Sequence, residues 1–305
     1  MNRKKIGPLI LLAIIWGSYY VASQKAVQEL SVFTAGIVIR FITMILLGSI
    51  MWKRGQLKDL LNTKGVFGRL LLIGCLGFLL DLTAFIGLSL SAAGTGTALL
   101  KCDILFVNII SVFIYKEKFT KFDWGYTFFM LFGVLLVMGV DFGNLKLGNK
   151  GDIFFVLSAL FVSINAFVIK SVQLDKHNPT KDNVVAFYNN FVTMVLFLIT
   201  SMFLGTLGQL KILAQNEGTL LAITLAGIGQ TLIYLVYYYN LRRNPVWIVK
   251  VFLLLMPIVS SLIAFVLFKE TMERTQYIGI AVVLLGAFGI LMEQKKKAEV
   301  VIPGT

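Results

Sequence analysis

Charge is scarce in this chain. Only 14% of its 305 residues are Asp, Glu, Lys or Arg, where a soluble domain carries about 25%. The chain is 58% hydrophobic, with a mean hydropathy of +0.85, which is the composition of a multi-spanning membrane protein. Cysteine is nearly absent, and both Cys75 and Cys102 lie in apolar stretches, so no disulfide framework is expected. The single histidine, His177, sits in a polar loop without a Cys or His companion, which argues against a dedicated metal site. No Ser-His pair, metal-spaced His/Asp cluster or phosphate-cradling glycine loop is present, so neither an enzyme activity nor a cofactor is expected. Low-complexity segments are missing too. The first apolar segment has no small-residue cleavage site, and it is read as a retained helix.

What is present is apolar sequence in long runs. A spanning helix needs ~20 mostly apolar residues. Ten segments qualify: 6–27, 33–52, 69–90, 92–115, 122–140, 151–171, 183–205, 218–240, 246–268 and 275–292. The net charge of +13 is read as the excess of Lys and Arg on cytoplasmic loops, not as a nucleic-acid footprint. With the N-terminus inside, 19 of the 28 basic residues fall on the inner side and six on the outer side. Arg40, Lys101 and Lys250 remain within helices. This bias makes both termini cytoplasmic, and an even number of spans requires the same.

The stretch from Arg69 to Glu117 stands out, because Asp81, Lys101 and Asp103 interrupt otherwise apolar sequence around a small-residue corner at Ser91–Gly94. A charge near a bilayer centre costs ~3 kcal/mol on insertion scales and faces a bundle interior or a water-filled cavity. These residues therefore form either structural ion pairs or a polar site for a small solute. At ~1.5 Å per residue, Asp81 and Asp103 lie roughly 16 Å from the outer corner, near the middle of a ~30 Å core. Lys101 and Arg40 fall at a similar depth. Lys101 and Asp103 are two residues apart on a helix and point to different faces, so they need separate partners. Asp81 with Lys101 is one candidate pair and Asp103 with Arg40 another; the alternative is that all four are distributed around a cavity. Lys250, about four residues into its helix, is expected to snorkel to the inner interface.

An internal repeat runs through the chain. Lys116-Glu117 recurs as Lys269-Glu270, 153 residues later. The same offset places Gly74 on Gly227 and Gly133 on Gly286 without a gap. Arg40-Phe41-Ile42-Thr43-Met44 resembles Asn190-Phe191-Val192-Thr193-Met194, and Lys25 matches Lys170. Five spans per repeat is an odd number, so the second repeat would enter the membrane from the opposite side. Inverted repeats are a hallmark of secondary transporters, whose substrates bind near the midplane between them.

Trp16-Gly17-Ser18-Tyr19-Tyr20 followed by Lys25 resembles the first helix of EamA-type proteins of the drug/metabolite transporter superfamily. Arg40, Ser91-Ala92-Ala93 leading to Lys116-Glu117, Gly151-Asp152 with Leu157, Ser158 and Phe161, and Pro257 with Lys269-Glu270 carry the resemblance along nearly the whole chain. It implies an all-α membrane protein of ten helices in two inverted five-helix repeats, alternating access and no ATP hydrolysis. The repeats are placed at 1–145 and 146–295, with a short basic cytoplasmic tail at 296–305. One departure matters: the proline that the resemblance leads one to expect in helix 4 falls at Ile104, whose counterpart is Pro257. Lys101 and Asp103 beside it favour a polar or charged substrate.

Other polar residues are candidates for a cavity wall. Gln230, Tyr234 and Tyr238 share one helix face at i, i+4 and i+8, and Tyr234 is the repeat counterpart of Asp81. Asn165, Asn189 and Asn190 add amides, and Tyr20 is the counterpart of Asn165. Tyr239 is assigned to the interfacial belt. Lys116, Glu117, Lys269 and Glu270 are read as gate or helix-end residues. The expected function is export of a small polar metabolite, an amino acid or amine, across the inner or plasma membrane. Arg40 and Lys101 would receive a carboxylate, and Asp81 or Asp103 an ammonium or a proton. The expected partners are the substrate, the lipid bilayer and a coupling proton, with the chain acting as a monomer or homodimer and binding no nucleic acid. A drug or nucleotide-sugar carrier, a lipid flippase and a membrane-embedded enzyme are the alternatives.

Overall fold

In a computed structural model the described residues are 3–115, 120–137, 149–244, 246–253, 255–269 and 271–301. Among them there is no strand. The helices are α1 (Arg3–Glu29), α2 (Val32–Lys53), α3 (Phe67–Leu90), α4 (Ala93–Leu99), α5 (Asp103–Tyr115), α6 (Lys121–Val137) and α7 (Asp152–Gln173). They continue with α8 (Asp182–Phe203), α9 (Leu210–Gln215), α10 (Glu217–Arg243), α11 (Val246–Leu253), α12 (Met256–Phe268) and α13 (Arg274–Val301). Six of these, α1, α2, α3, α7, α8 and α10, are long and apolar enough to cross a membrane. Shorter apolar stretches lie in α6, α12 and α13.

Local chemistry sets the boundaries. Ser31 caps α2 by accepting from the Phe33 amide at 3.3 Å, and Asn216 caps α10 by accepting from the Thr219 amide at 3.1 Å. Gly55 follows α2 at φ +65° and Gly205 follows α8 at φ +66°, a left-handed conformation that glycine adopts without steric cost. The corner after α3 is extended at Ser91 and Ala92.

Two expected spans are interrupted. The 92–115 segment is divided by a 3-10 turn at Leu100–Cys102. The 246–268 segment is divided between Leu253 and Met256. Under the 153-residue offset the two interruptions coincide. Pro257 near the start of α12 accounts for the second. The first occurs without a proline, so Ile104 in that position does not preserve a continuous α-helix.

The packing has the same doubled character. α1 packs along α10 and α3 along α7; each pair becomes the other when every helix is exchanged for its repeat counterpart. α2 against α8 and α6 against α13 pair counterparts directly. Contacts match at the residue level. A Cβ on Gly74 would overlap Val192, and one on Gly227 would overlap Ile42, the counterpart of Val192. Thr193 donates its hydroxyl to the Gly74 carbonyl at 3.0 Å. Its counterpart Thr43 donates to the Gly227 carbonyl at 3.1 Å. Gly133 abuts Val283 and Gly286 abuts Met130, again with roles exchanged. Small residues at such crossings let backbones approach closely where apolar surface gains little from leaving lipid.

Candidate functional site

The buried face of α2 includes Ala35, Ile39, Arg40, Thr43, Leu47 and Met51 at helical spacing. Arg40 therefore points inward, and it is 2% exposed. A guanidinium in that position must find acceptors. Its NH2 donates to Asp81 Oδ2 on α3 and its NH1 to Tyr234 Oη on α10. NH1 also donates to Asn190 Oδ1 on α8 at 3.4 Å, and Asn190 Nδ2 returns a bond to the Arg40 carbonyl at 2.9 Å. The Tyr234 ring centroid lies 5.4 Å from the Arg40 Cζ. These four residues are two repeat pairs, Arg40 with Asn190 and Asp81 with Tyr234. One buried cation on α2 thus gathers ligands from three further helices, α3, α8 and α10, of both halves.

A cavity adjoins this network. It is bounded by Trp16, Tyr19 and Tyr20 of α1, Arg40, Asp81, Asn165 of α7, Asn189 of α8, and Gln230, Tyr234, Tyr237 and Tyr238 of α10. The space open to the centre of a water-sized sphere is about 40 Å³, room for a few waters. Its aromatic wall is internally ordered. Tyr234 and Tyr238 meet edge-on at 5.5 Å, as do Trp16 and Tyr237 at 5.0 Å. Asn189 Nδ2 donates to Tyr238 Oη at 2.7 Å. The Tyr19 and Tyr237 hydroxyls and Asn165 Oδ1 are buried without a protein hydrogen-bond partner, so they are open to water or a ligand.

A smaller chamber continues toward the helix interruptions. Trp16, Tyr20, Leu80 and Val162 line both spaces, and Lys101, Asp103, Leu253 and Met256 line the second alone. Lys250, in the last turn of α11, donates to Asp103 Oδ2. Both residues are buried. Lys101 is equally buried, yet it takes part in none of the ion pairs among the described residues.

The EamA-like transporter family model matches residues 5–139 and 149–292. The chain belongs to the EamA-like transporter family. A solved crystal structure superposes at a TM-score of 0.66, with 16% identity over 97% of this chain and 99% of its own, which shows a shared fold. No curated protein matches the sequence at a significant level. This EamA-like chain is therefore a multi-pass membrane protein of the drug/metabolite transporter superfamily.

Against this geometry the expected ion pairs need correction. Asp81 pairs with Arg40, not Lys101, and Asp103 pairs with Lys250, not Arg40. Lys250 does not snorkel; it is 2% exposed. The cause is the interruption after Leu253: α11 is a short helix that ends beside Asp103, not the inner half of a straight span. Arg40, Asp81, Asn165, Asn189, Gln230, Tyr20, Tyr234 and Tyr238 do line one cavity. Asn190 reaches it through Arg40. Lys101 and Asp103 belong to the adjoining chamber. Tyr239 is 42% exposed, beneath Arg243. Lys269 is exposed, at the end of α12. Lys116, Glu117 and Glu270 lie outside the described residues.

Trp16, Tyr19 and Tyr237 were not singled out as cavity residues from the sequence. Tyr237 was within reach, because it lies three residues from Tyr234 on the same helix. Tyr19 also lines an apolar groove between α1, α10 and α12, so it stands between that groove and the central cavity.

Proposed function

We propose that this EamA-like chain is a secondary-active transporter that exports a small polar metabolite of the amino-acid or amine class by alternating access. The observation that carries the reading is the Arg40 network. Its buried guanidinium is held by Asp81, Tyr234 and Asn190 from both halves, at the wall of a central cavity. A ligand that competes for Arg40 acts on both halves at once, which is what a rocking transporter needs. The six long helices, the two interrupted spans, α6 and α13 support a count of ten, five to each repeat. Five spans per repeat invert the second relative to the first. The repeats are taken as 1–145 and 146–295 with a tail at 296–305, both termini cytoplasmic, in the inner or plasma membrane.

In this reading Arg40 and Lys101 attract the substrate's carboxylate. Gln230, Asn165, Asn190, Tyr20, Tyr234 and Tyr238 shape the space around it. Asp81 is the coupling group. A proton on Asp81 cancels the charge that occupies Arg40 and frees the guanidinium for substrate. Deprotonation lets Asp81 reclaim Arg40 and expel it. Lys269 and the helix-end residues Lys116, Glu117 and Glu270 act at the gates.

The test is counterflow of labelled amino acids and amines in proteoliposomes under an imposed pH gradient. The wild type is expected to concentrate substrate against its gradient. Asp81→Asn is expected to lose the pH dependence. A removed partner leaves Arg40 buried and unpaired, at about 3–5 kcal/mol, so Arg40→Gln with Asp81→Asn serves as the folding control. Full gradient-driven transport by a folded Asp81→Asn protein would refute the coupling role.

A further inference from the structure

We propose that the small chamber beside Leu100–Cys102 is the headgroup subsite of the transported molecule. It takes a carboxylate with a hydrogen-bond donor on the adjacent carbon, as in an α-hydroxy or α-amino acid. The assignment deepens the transporter reading and rests on it.

Two unmatched groups meet in this chamber. The Lys101 side chain is 2% exposed and pairs with no carboxylate among the described residues. Asp103 gives its Oδ2 to Lys250, and its Oδ1 is buried with no hydrogen-bond partner. Asp103 stands in the same chamber and attracts Lys101 electrostatically, but no ion pair joins them and Asp103 is already held by Lys250; an anion in contact with Lys101 and a donor for the unmatched carboxylate oxygen would complete both. A carboxylate on Lys101 and a hydroxyl or ammonium on Asp103 Oδ1 supply both. The remaining walls include Trp16, Tyr20, Leu253 and Met256, none of which carries a charge.

The local charge sum selects the same class. Among the described residues, three cations, Arg40, Lys101 and Lys250, stand around the two chambers against two carboxylates, Asp81 and Asp103. A third buried carboxylate among the described residues, Asp152, accepts from the Ser91 hydroxyl at 2.7 Å at the start of α7, away from both chambers. One positive charge is therefore in excess. A bare amine adds to it. A simple carboxylate neutralises it but leaves Asp103 Oδ1 unmatched. An α-hydroxy acid answers both needs, and an α-amino acid pairs each group locally.

Size divides the molecule between the chambers. The space open to a water-sized sphere is about 10 Å³ here and about 40 Å³ in the adjoining cavity. The smaller one has room for about one water-sized group, so the headgroup enters it as the chambers widen in the transport cycle. The body of the ligand extends past Tyr20 and Val162 along the aromatic wall of the larger cavity.

The experiment uses five compounds with one isobutyl body: L-leucine, its α-hydroxy analogue, its desamino acid, its amide and its decarboxylated amine. Each is presented to the purified full-length protein in proteoliposomes, and exchange of the labelled compound is measured. The first two are expected to exchange saturably. The desamino acid is expected to fall by about tenfold or more, because Asp103 Oδ1 stays unmatched. The amide and the amine are expected not to exchange. Lys101→Gln removes a charge without orphaning a partner, so its size-exclusion profile is expected to match the wild type while exchange of both acids is lost. Retained exchange in Lys101→Gln, or amide exchanged as well as the acids, overturns the subsite. Exchange of the amine alone overturns the subsite and leaves the transporter reading standing. Exchange of none of the five by the wild type counts against both.

Discussion

Arg40, Lys101 and Lys250 are three buried cations with three different settings, and their neighbours decide what each substitution costs. Arg40 and Lys250 each hold a carboxylate, so removing either leaves a buried aspartate alone. Lys101 holds none among the described residues. Lys250→Met is therefore expected to destabilise the protein by about 3–5 kcal/mol. Lys101→Met keeps the side-chain bulk and sheds a buried charge that no ion pair holds, so it is expected to be neutral or stabilising. Thermal unfolding in detergent, followed by tryptophan fluorescence, checks the pair. Equal losses for the two would mean that Lys101 has a carboxylate partner after all. Much of this was legible in the sequence. A charge in an apolar run must face inward, and Arg40, Asp81, Lys101 and Asp103 were found on that ground. Their partners were not legible. Lys250 lies so near a helix start that it looks like any snorkelling lysine, and only the end of α11 at Leu253 brings it to Asp103. Trp16, Tyr19 and Tyr237 were hidden for a related reason: aromatic residues in apolar helices carry no mark that separates cavity wall from ordinary packing.

Among the elements, helix crossings set the tolerances. α3 meets α8 where Gly74 faces Val192, and α10 meets α2 where Gly227 faces Ile42. A methyl group at Gly74 has no room, so Gly74→Ala is expected to cost about 1–3 kcal/mol through overpacking. Gly48 sits inside α2, and a methyl group there would meet nothing within 4 Å, so Gly48→Ala is expected to gain about 0.5–1 kcal/mol. Combining Gly74→Ala with Val192→Ala is expected to recover most of the loss. Melting temperatures of the four proteins provide the measurement, and a neutral Gly74→Ala would show that α3 and α8 can slide apart. The recurrence of these glycines at a fixed offset was visible in the sequence because glycine is the residue that a close crossing requires. The interruption at Leu100–Cys102 was invisible, since Leu-Lys-Cys contains neither proline nor glycine. Its equivalent at 253–256 is followed directly by Pro257, which sequence reading weighs heavily. Tertiary packing imposes on the first repeat what local chemistry encodes in the second.

Across the whole molecule, and among the described residues, the connection at 54–66 is fastened to its neighbour more heavily than its repeat equivalent is. At the end that holds the 54–66 connection, Arg69 pairs with Asp175 and Lys181 with Asp59. Asn183 donates to Gln56 at 2.6 Å and Tyr188 to the Leu60 carbonyl at 2.8 Å. The equivalent connections at the opposite end share two bonds, Ser31 to Gln209 and Thr34 to Thr206. In an alternating-access cycle, weakening the heavier clasp should shift the population toward a cavity open at that end. Val162 lines both chambers, so Val162→Cys in a background lacking Cys75 and Cys102 reports access from either side. Adding Asp59→Asn and Asp175→Asn is expected to raise maleimide labelling from the 54–66 side and lower it from the other. Protonation does not reproduce this effect near neutrality. The Arg69 guanidinium, with the Asn178 and His177 amides, holds the Asp175 carboxyl well below its usual range. A depressed carboxylate stabilises the closed clasp above its ordinary value of about 4 and loses that contribution only as pH falls through the lower folded value. Labelling of the parent Val162→Cys protein, normalised at each pH to the same cysteine in unfolded protein to remove the thiolate dependence, should therefore stay level from about pH 8 to pH 5 as far as this clasp is concerned. A rise over that interval that persists in Asp81→Asn would place the proton-sensitive step at the clasp and not at Arg40.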